Sequence, residues 1–193
     1  YIGCHTERQT QGVFYMLNPS SCRPSKDRLL TVLRGQAQAV ADIVGSGNYP
    51  ELSGTVRFYQ TRKGVIVYAE ISGLPHDDLP CHRRVFGFHI HSGTDCGGDM
   101  ADPFADAMSH YNPSGCEHPY HAGDLPPLFE NGGSALSAFL TDRFSVSEVI
   151  GKTVIIHDQP DDFTTQPSGH SGAKIACGVI RRAAGNCSRS GCF

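Results

Sequence analysis

The chain has 193 residues, 39% hydrophobic and 18% charged, a balance that predicts a folded domain with a substantial core. Its formal net charge of −3 excludes the strongly basic signature of a general nucleic-acid binder. No apolar run approaches the about 18 residues that a membrane-spanning helix needs, so neither nucleic acid nor a membrane is an expected partner.

Residues 1–35 mix Gln, Ser, Pro, Arg and Thr around the turn-rich "NPSSCRPSKD" and read as a poorly ordered or peripheral arm. The first residue is Tyr1 rather than Met, so the start reads as processed or incomplete. No secretory signal is visible, which leaves a cytoplasmic and an exported location equally open. From there the pattern turns to period two. Strands are expected at 37–44, 54–60, 64–71 and 85–91, with "RKG" as a hairpin turn between the second and third. An amphipathic helix over "RLLTVLRGQAQAVADI" is the alternative for the start of this region. Three more strands are expected at 135–140, 152–157 and 174–180, before a polar tail at 182–193. The intervening stretches, roughly 92–134 and 158–173, lack periodicity, and long irregular loops inside a domain are commonly functional. The expected fold is all-β, a sandwich or barrel over residues 36–181 carrying two large loops.

The histidines concentrate the chemistry. His89 and His91 in "FGFHIH" are two apart on an expected strand and so face the same way. The loop "HYNPSGCEHPYHAGD" offers His110, His118, His121 and Asp124, a set of imidazoles and one carboxylate suited to zinc. "VIIHDQPDDF" ends a strand in His157 and follows it with Asp158, Asp161 and Asp162, of which the last two, four and five residues on, are able to orient metal-bound imidazoles. Each segment alone has a plain structural reading: hydrogen-bonded core histidines, a His-rich surface loop, a solvated acidic turn. Their combination tips the balance.

Taken in order, "GFHIH", "HYNP", "HAGDL", "GKTVIIH", "DD" and "GAKIACGVI" resemble the copper/zinc superoxide dismutase family across roughly residues 37–181. The resemblance implies a Greek-key β-sandwich or flattened barrel with two long metal-site loops. It also implies a copper ion held by His89, His91, His110 and His157. A zinc ion would be held by His110, His118, His121 and Asp124, with His110 bridging the two metals. Asp161 matches the acid that links a copper histidine to a zinc histidine. The implied activity converts superoxide to dioxygen and hydrogen peroxide by Cu(II)/Cu(I) cycling, with His110 leaving copper and taking up a proton. Zinc would hold the loop that carries the bridge.

The eight cysteines lean towards some disulfide use. The resemblance implies a bond between Cys96 and Cys177, with Cys116 as an alternative partner in the same loop. Cys4, Cys22, Cys81, Cys187 and Cys192 have no assigned pairing. Family members are often dimers, so a homodimer is among the implied assemblies.

Two departures stand out. Lys174 occupies the place where the family usually has an arginine that attracts and orients superoxide, keeping the charge but losing the planar fork of donors. His118 and His121 are only three residues apart, a shorter zinc loop than in many members. Against the enzyme reading stand a noncatalytic copper/zinc-binding homologue for metal storage or delivery, since ligands can outlive activity, and a disulfide-bearing binding module with surface histidines.

Overall fold

The computed structural model describes residues 25–184 except Asp78, Pro80, His82 and Arg83. The chain divides into two units, one ending at Arg34 and one beginning at Gly35. In the first, Ser25–Leu33 forms helix α1, with Leu29 and Leu30 exposed. The "RLLTVL" half of the alternative helix is thus helical, whereas its "AVADI" half is strand. The rest of the arm, the tail from residue 185 and Cys4, Cys22, Cys187 and Cys192 lie outside the described residues.

The second unit is built from β1 (Ala39–Gly45), β2 (Ser53–Thr61), β3 (Gly64–Ser72), β4 (Val85–Phe86), β5 (Phe88–His91), β6 (Leu128–Phe129), β7 (Ser134–Thr141), β8 (Thr153–His157) and β9 (Lys174–Arg182). Seven strands form one curled sheet in the order β5-β8-β9-β1-β2-β3-β7. Every neighbouring pair is antiparallel, and the sequence-distant pairings β5·β8, β9·β1 and β3·β7 carry the chain across the sheet in the Greek-key manner. The β2–β3 register closes at Thr61 opposite Gly64, so the hairpin turn expected at "RKG" is made by Arg62 and Lys63, and Gly64 already belongs to β3.

Alternation decides which side faces inward. Ala39, Ala41 and Ile43 on β1, Val56 and Phe58 on β2, and Val65, Val67, Ala69 and Ile71 on β3 are all buried in one core. Burying a side chain such as Phe58 stabilises the fold by about 1.5–3 kcal/mol. The expected strand 85–91 is broken at Gly87, whose N–H donates to the Gln159 carbonyl and whose carbonyl accepts from His157. Its first half pairs with β6 instead, and that separate ribbon delivers Phe86 and Leu128 to the same core. No helix among the described residues is long and apolar enough to cross a membrane.

On β5, Phe88 and Ile90 enter the core, which turns His89 and His91 to the opposite face. The same alternation on β8 sends Val154 and Ile156 inward and leaves Ile155 and His157 on the outer side. The two long loops cover that outer side.

Candidate metal centre

Among the described residues the outer edge of β5 has no strand beside it, and the first long loop supplies the missing partner. Ile90 N–H donates to the Gly123 carbonyl, Tyr111 N–H to the Ile90 carbonyl, and Gly123 N–H to the Tyr111 carbonyl, each at 2.8 Å. Two segments of the loop are thereby laid along the strand, with His91 bridged to His110 and His89 to Asp124. Gly123 is required here by close approach: a β-carbon would stand 2.2 Å from the Ile90 carbonyl oxygen. On the other side of the site the β8–β9 register shifts between Ile156 and His157, re-aiming the histidine at the strand end.

Two clusters of buried side chains result. His89, His91, His110 and His157 form one, and His110, His118, His121 and Asp124 the other, with donor atoms in each group within 4.8 Å of one another. His110 belongs to both. Its ring centroid lies 4.0 Å from that of His89 and 5.6 Å from that of His121.

The hydrogen bonds show which nitrogens are left for a metal. His91 Nδ1–H donates to the Met108 carbonyl at 2.8 Å and His157 Nδ1–H to the Gly172 carbonyl at 3.3 Å. A carbonyl only accepts, so in both neutral rings Nε2 carries a bare lone pair. Those two Nε2 atoms face each other at 3.2 Å, an arrangement that calls for a cation between acceptors. His89 and His118 each donate Nε2–H to Asp161 at 2.8 Å, one to each carboxylate oxygen. Among the described residues this leaves His89 Nδ1 and His118 Nδ1 buried without a hydrogen-bond partner, as are His110 Nε2 and His121 Nδ1. The His118 and His121 Nδ1 atoms approach Asp124 Oδ2 to 3.0 and 3.3 Å, near enough for attraction but not aligned for a hydrogen bond. His110 Nδ1 does bond Asp124 Oδ1 at 2.7 Å. Orphaned imidazole nitrogens converging in a buried site, each ring held from its far side, are what first-row metal ligation requires.

Electrostatics agree. Burial, with smaller contributions from neighbouring imidazoles, lowers the pKa of His89 to about 4, and burial together with nearby His89 takes His157 to about 3. His91 is pushed well below the usual range by burial and by His157. Neutral rings keep their lone pairs for a metal. Burial would raise Asp161, but the hydrogen bonds from His89, Phe163 N–H and His118 overcome it and hold the carboxyl at about 2. Asp124 is likewise lowered against its burial, chiefly by His110.

The two clusters reach solvent through a pocket of about 590 Å³ whose wall includes His91, His110, His157, Asp102 and Lys174. A Cys96–Cys177 disulfide ties the first loop to β9. Cys116 and Cys81 are exposed and have no disulfide partner among the described residues. His89, His91, His110, His118, His121, His157, Asp124 and Asp161 are therefore in one neighbourhood, with Lys174 at its rim. The Asp158 carboxylate instead accepts from Ala173 N–H and that of Asp162 from Thr164 and Thr165, and neither is bonded to an imidazole among the described residues.

Two further residues escaped sequence reasoning. Arg143 Nη1 donates to the carbonyls of Pro119, His121 and Asp124, at 3.0, 3.2 and 3.2 Å, clamping the His-rich loop from the β7–β8 connection. Asp102 pairs with Lys174. "TDRF" reads as a solvated turn and "ADPF" as irregular loop, so neither carries a local signal.

Comparison with known proteins gives one family. The model of "Copper/zinc superoxide dismutase (SODC)" matches residues 52–180. A protein named "Superoxide dismutase [Cu-Zn]" from Legionella pneumophila is 32% identical over 166 residues, covering 79% of this chain and 96% of its own length. "Superoxide dismutase [Cu-Zn] 2" of Aquifex aeolicus is 32% identical over 68% of this chain and 80% of its own. "Superoxide dismutase [Cu-Zn] A" of Xenopus laevis is 31% identical, with 74% and 96% covered.

Proposed function

The chain belongs to the copper/zinc superoxide dismutase family, and from that premise we propose that it disproportionates superoxide to dioxygen and hydrogen peroxide at a paired copper and zinc site. His89, His91, His110 and His157 would hold copper, and His110, His118, His121 and Asp124 zinc. When bound, copper supplies a one-electron donor and acceptor by alternating between Cu(II) and Cu(I), beside a zinc ion that does not change oxidation state.

The chain's own residues supply the rest. Asp161 fixes His89 and His118 in one tautomer each, with Nδ1 bare, and so ties the geometry of one cluster to that of the other. His110 Nε2 has no hydrogen-bond partner among the described residues and would serve as the internal acid for forming peroxide. Lys174 lies across from His157 in the β8–β9 register and lends positive charge to the pocket through which an anion enters. The loops bury the six rings and the one carboxylate of the two clusters.

The observation that supports this reading most directly is the pair of buried clusters sharing His110, with ligand nitrogens that nothing among the described residues satisfies. The test is superoxide decay followed by rapid mixing, with protein reconstituted with copper and zinc and His157→Ala as control. Fast, copper-dependent decay lost in the variant is expected. Full copper loading without decay would instead favour a noncatalytic metal-binding homologue.

A further inference from the structure

Lys174 is anchored by more than its strand. Its Nζ donates to Asp102 Oδ2 at 2.5 Å and to the Phe104 carbonyl at 3.2 Å. An ammonium has three protons, so two are taken and one is left for an incoming anion. Asp102 is itself built in. Its other carboxylate oxygen accepts from Phe104 N–H at 3.1 Å, its own N–H donates to Asp99 Oδ1 at 2.9 Å, and its carbonyl accepts from the N–H groups of Asp99 and Ala105. The Cys96–Cys177 disulfide fastens the same loop to the same strand just beyond Lys174, and Phe104 packs beside Cys177.

Apart from histidines, Lys174 and Asp102 are the only charged side chains that line the pocket among the described residues. Their charges are opposite and adjacent. A paired cation and carboxylate attract a distant anion far less than a lone cation does.

We propose that Asp102 is a positioning residue that tunes anion entry through Lys174: it holds the ammonium on the pocket wall and cancels much of its charge, so a small monoanion must compete with the carboxylate. This deepens the reading of the site as one for superoxide and rests on it. A lysine tethered at one rim position replaces, in this chain, the planar fork of an arginine. The tether compensates for lysine's flexibility and costs attraction.

The test is Asp102→Asn, which keeps an acceptor oxygen and the side-chain size but removes the charge, with Asp102→Ala as a second variant. Two readouts are independent of turnover. One is azide affinity of the copper-loaded protein, followed by its visible spectrum at low and high ionic strength. The other is the rate at which an acetylating reagent modifies Lys174 in the metal-free protein, read by peptide mass spectrometry. Asp102→Asn should bind azide about 3–10-fold more tightly at low ionic strength, a gain that shrinks in high salt. Lys174 should be acetylated faster in both variants, because the carboxylate that holds its amine against the pocket wall is gone. Azide affinity and acetylation unchanged in both variants, or weaker azide binding in Asp102→Asn, would overturn the proposal. Absence of superoxide decay in the unaltered protein would count against the enzyme reading alone, since neither readout depends on it.

Discussion

The backbone of Gly169 is pressed against the carboxylate of Asp161: a β-carbon at that glycine would stand 2.0 Å from Oδ1 and 2.6 Å from His118 Nε2. Gly169 also has φ +70°, in the left-handed region that side chains resist. Two independent constraints therefore demand glycine over the hydrogen bonds that join His89 to His118.

Gly169→Ala is expected to displace Asp161 and free both imidazoles to rotate. Groups that orient metal-bound histidines typically contribute about 10–100-fold to metal affinity. The variant should lose copper and zinc to a competing chelator faster by a factor in that range. Asp161→Asn, which keeps the shape but can accept at only one oxygen, should fall between. Chelator competition at equal protein concentration checks both. Unaltered metal retention in Gly169→Ala would show that the loop relaxes around the extra carbon and that the contact is incidental.

Reducing the disulfide between Cys96 and Cys177 should cost stability as well as order in the pocket wall. The bond closes 81 residues of chain, and a disulfide typically contributes about 2–4 kcal/mol by restricting the unfolded state. Cys177→Ser is expected to lower the unfolding free energy by that amount, and Lys174 in the metal-free protein should become more accessible to acetylation. Denaturant unfolding with and without reductant measures the first quantity. An equal effect of reductant on the Cys177→Ser variant would assign the loss to another bond.

How much of this was legible beforehand depends on the range of the interaction. The strands were legible because alternation is local, and positions such as Val65, Val67, Ala69 and Ile71 declare an inward face without knowledge of their neighbours. The break at Gly87 was not, because it depends on Gln159 and His157 arriving from far along the chain. The same holds for the centre. Motif spacing brought out the histidines, Asp124 and Asp161. Arg143 and Asp102 act on carbonyls and an ammonium brought close only by folding, and no residue near them in sequence hints at those partners.

Arg143 donates to three carbonyls of the segment that carries His118, His121 and Asp124, so its removal should loosen the zinc cluster before the copper cluster. The residue is exposed, which places the contribution at the low end for hydrogen bonds from a charged donor, about 1–2 kcal/mol in all. Arg143→Ala is expected to release zinc roughly tenfold more readily, while copper affinity changes little. Arg143→Lys should recover only part of the loss, because a single ammonium cannot reproduce the guanidinium's reach. Cobalt substituted for zinc would report the change directly through its visible spectrum. Parallel losses of both metals would show that the clamp supports the whole site.

The metal-free protein should be sensitive to acid at a pH where the loaded protein is not. Burial holds His89 at about 4, His157 at about 3 and His91 well below its ordinary value, whereas in the unfolded chain each titrates near 6.5. Between those values the unfolded chain binds more protons than the folded one, so folding weakens as protons are added. The stability is complete above about pH 6.5 and drains away as the pH falls towards the folded-state values. The unfolding temperature of metal-free protein should therefore drop steadily from pH 7 to pH 5. Bound metal competes with protons for the same lone pairs and stabilises only the folded state, so loaded protein should hold its unfolding temperature across that interval. Calorimetry of the two forms at each pH provides the check. A flat profile for the metal-free form would mean that its rings turn out to solvent and take up protons without unfolding the barrel.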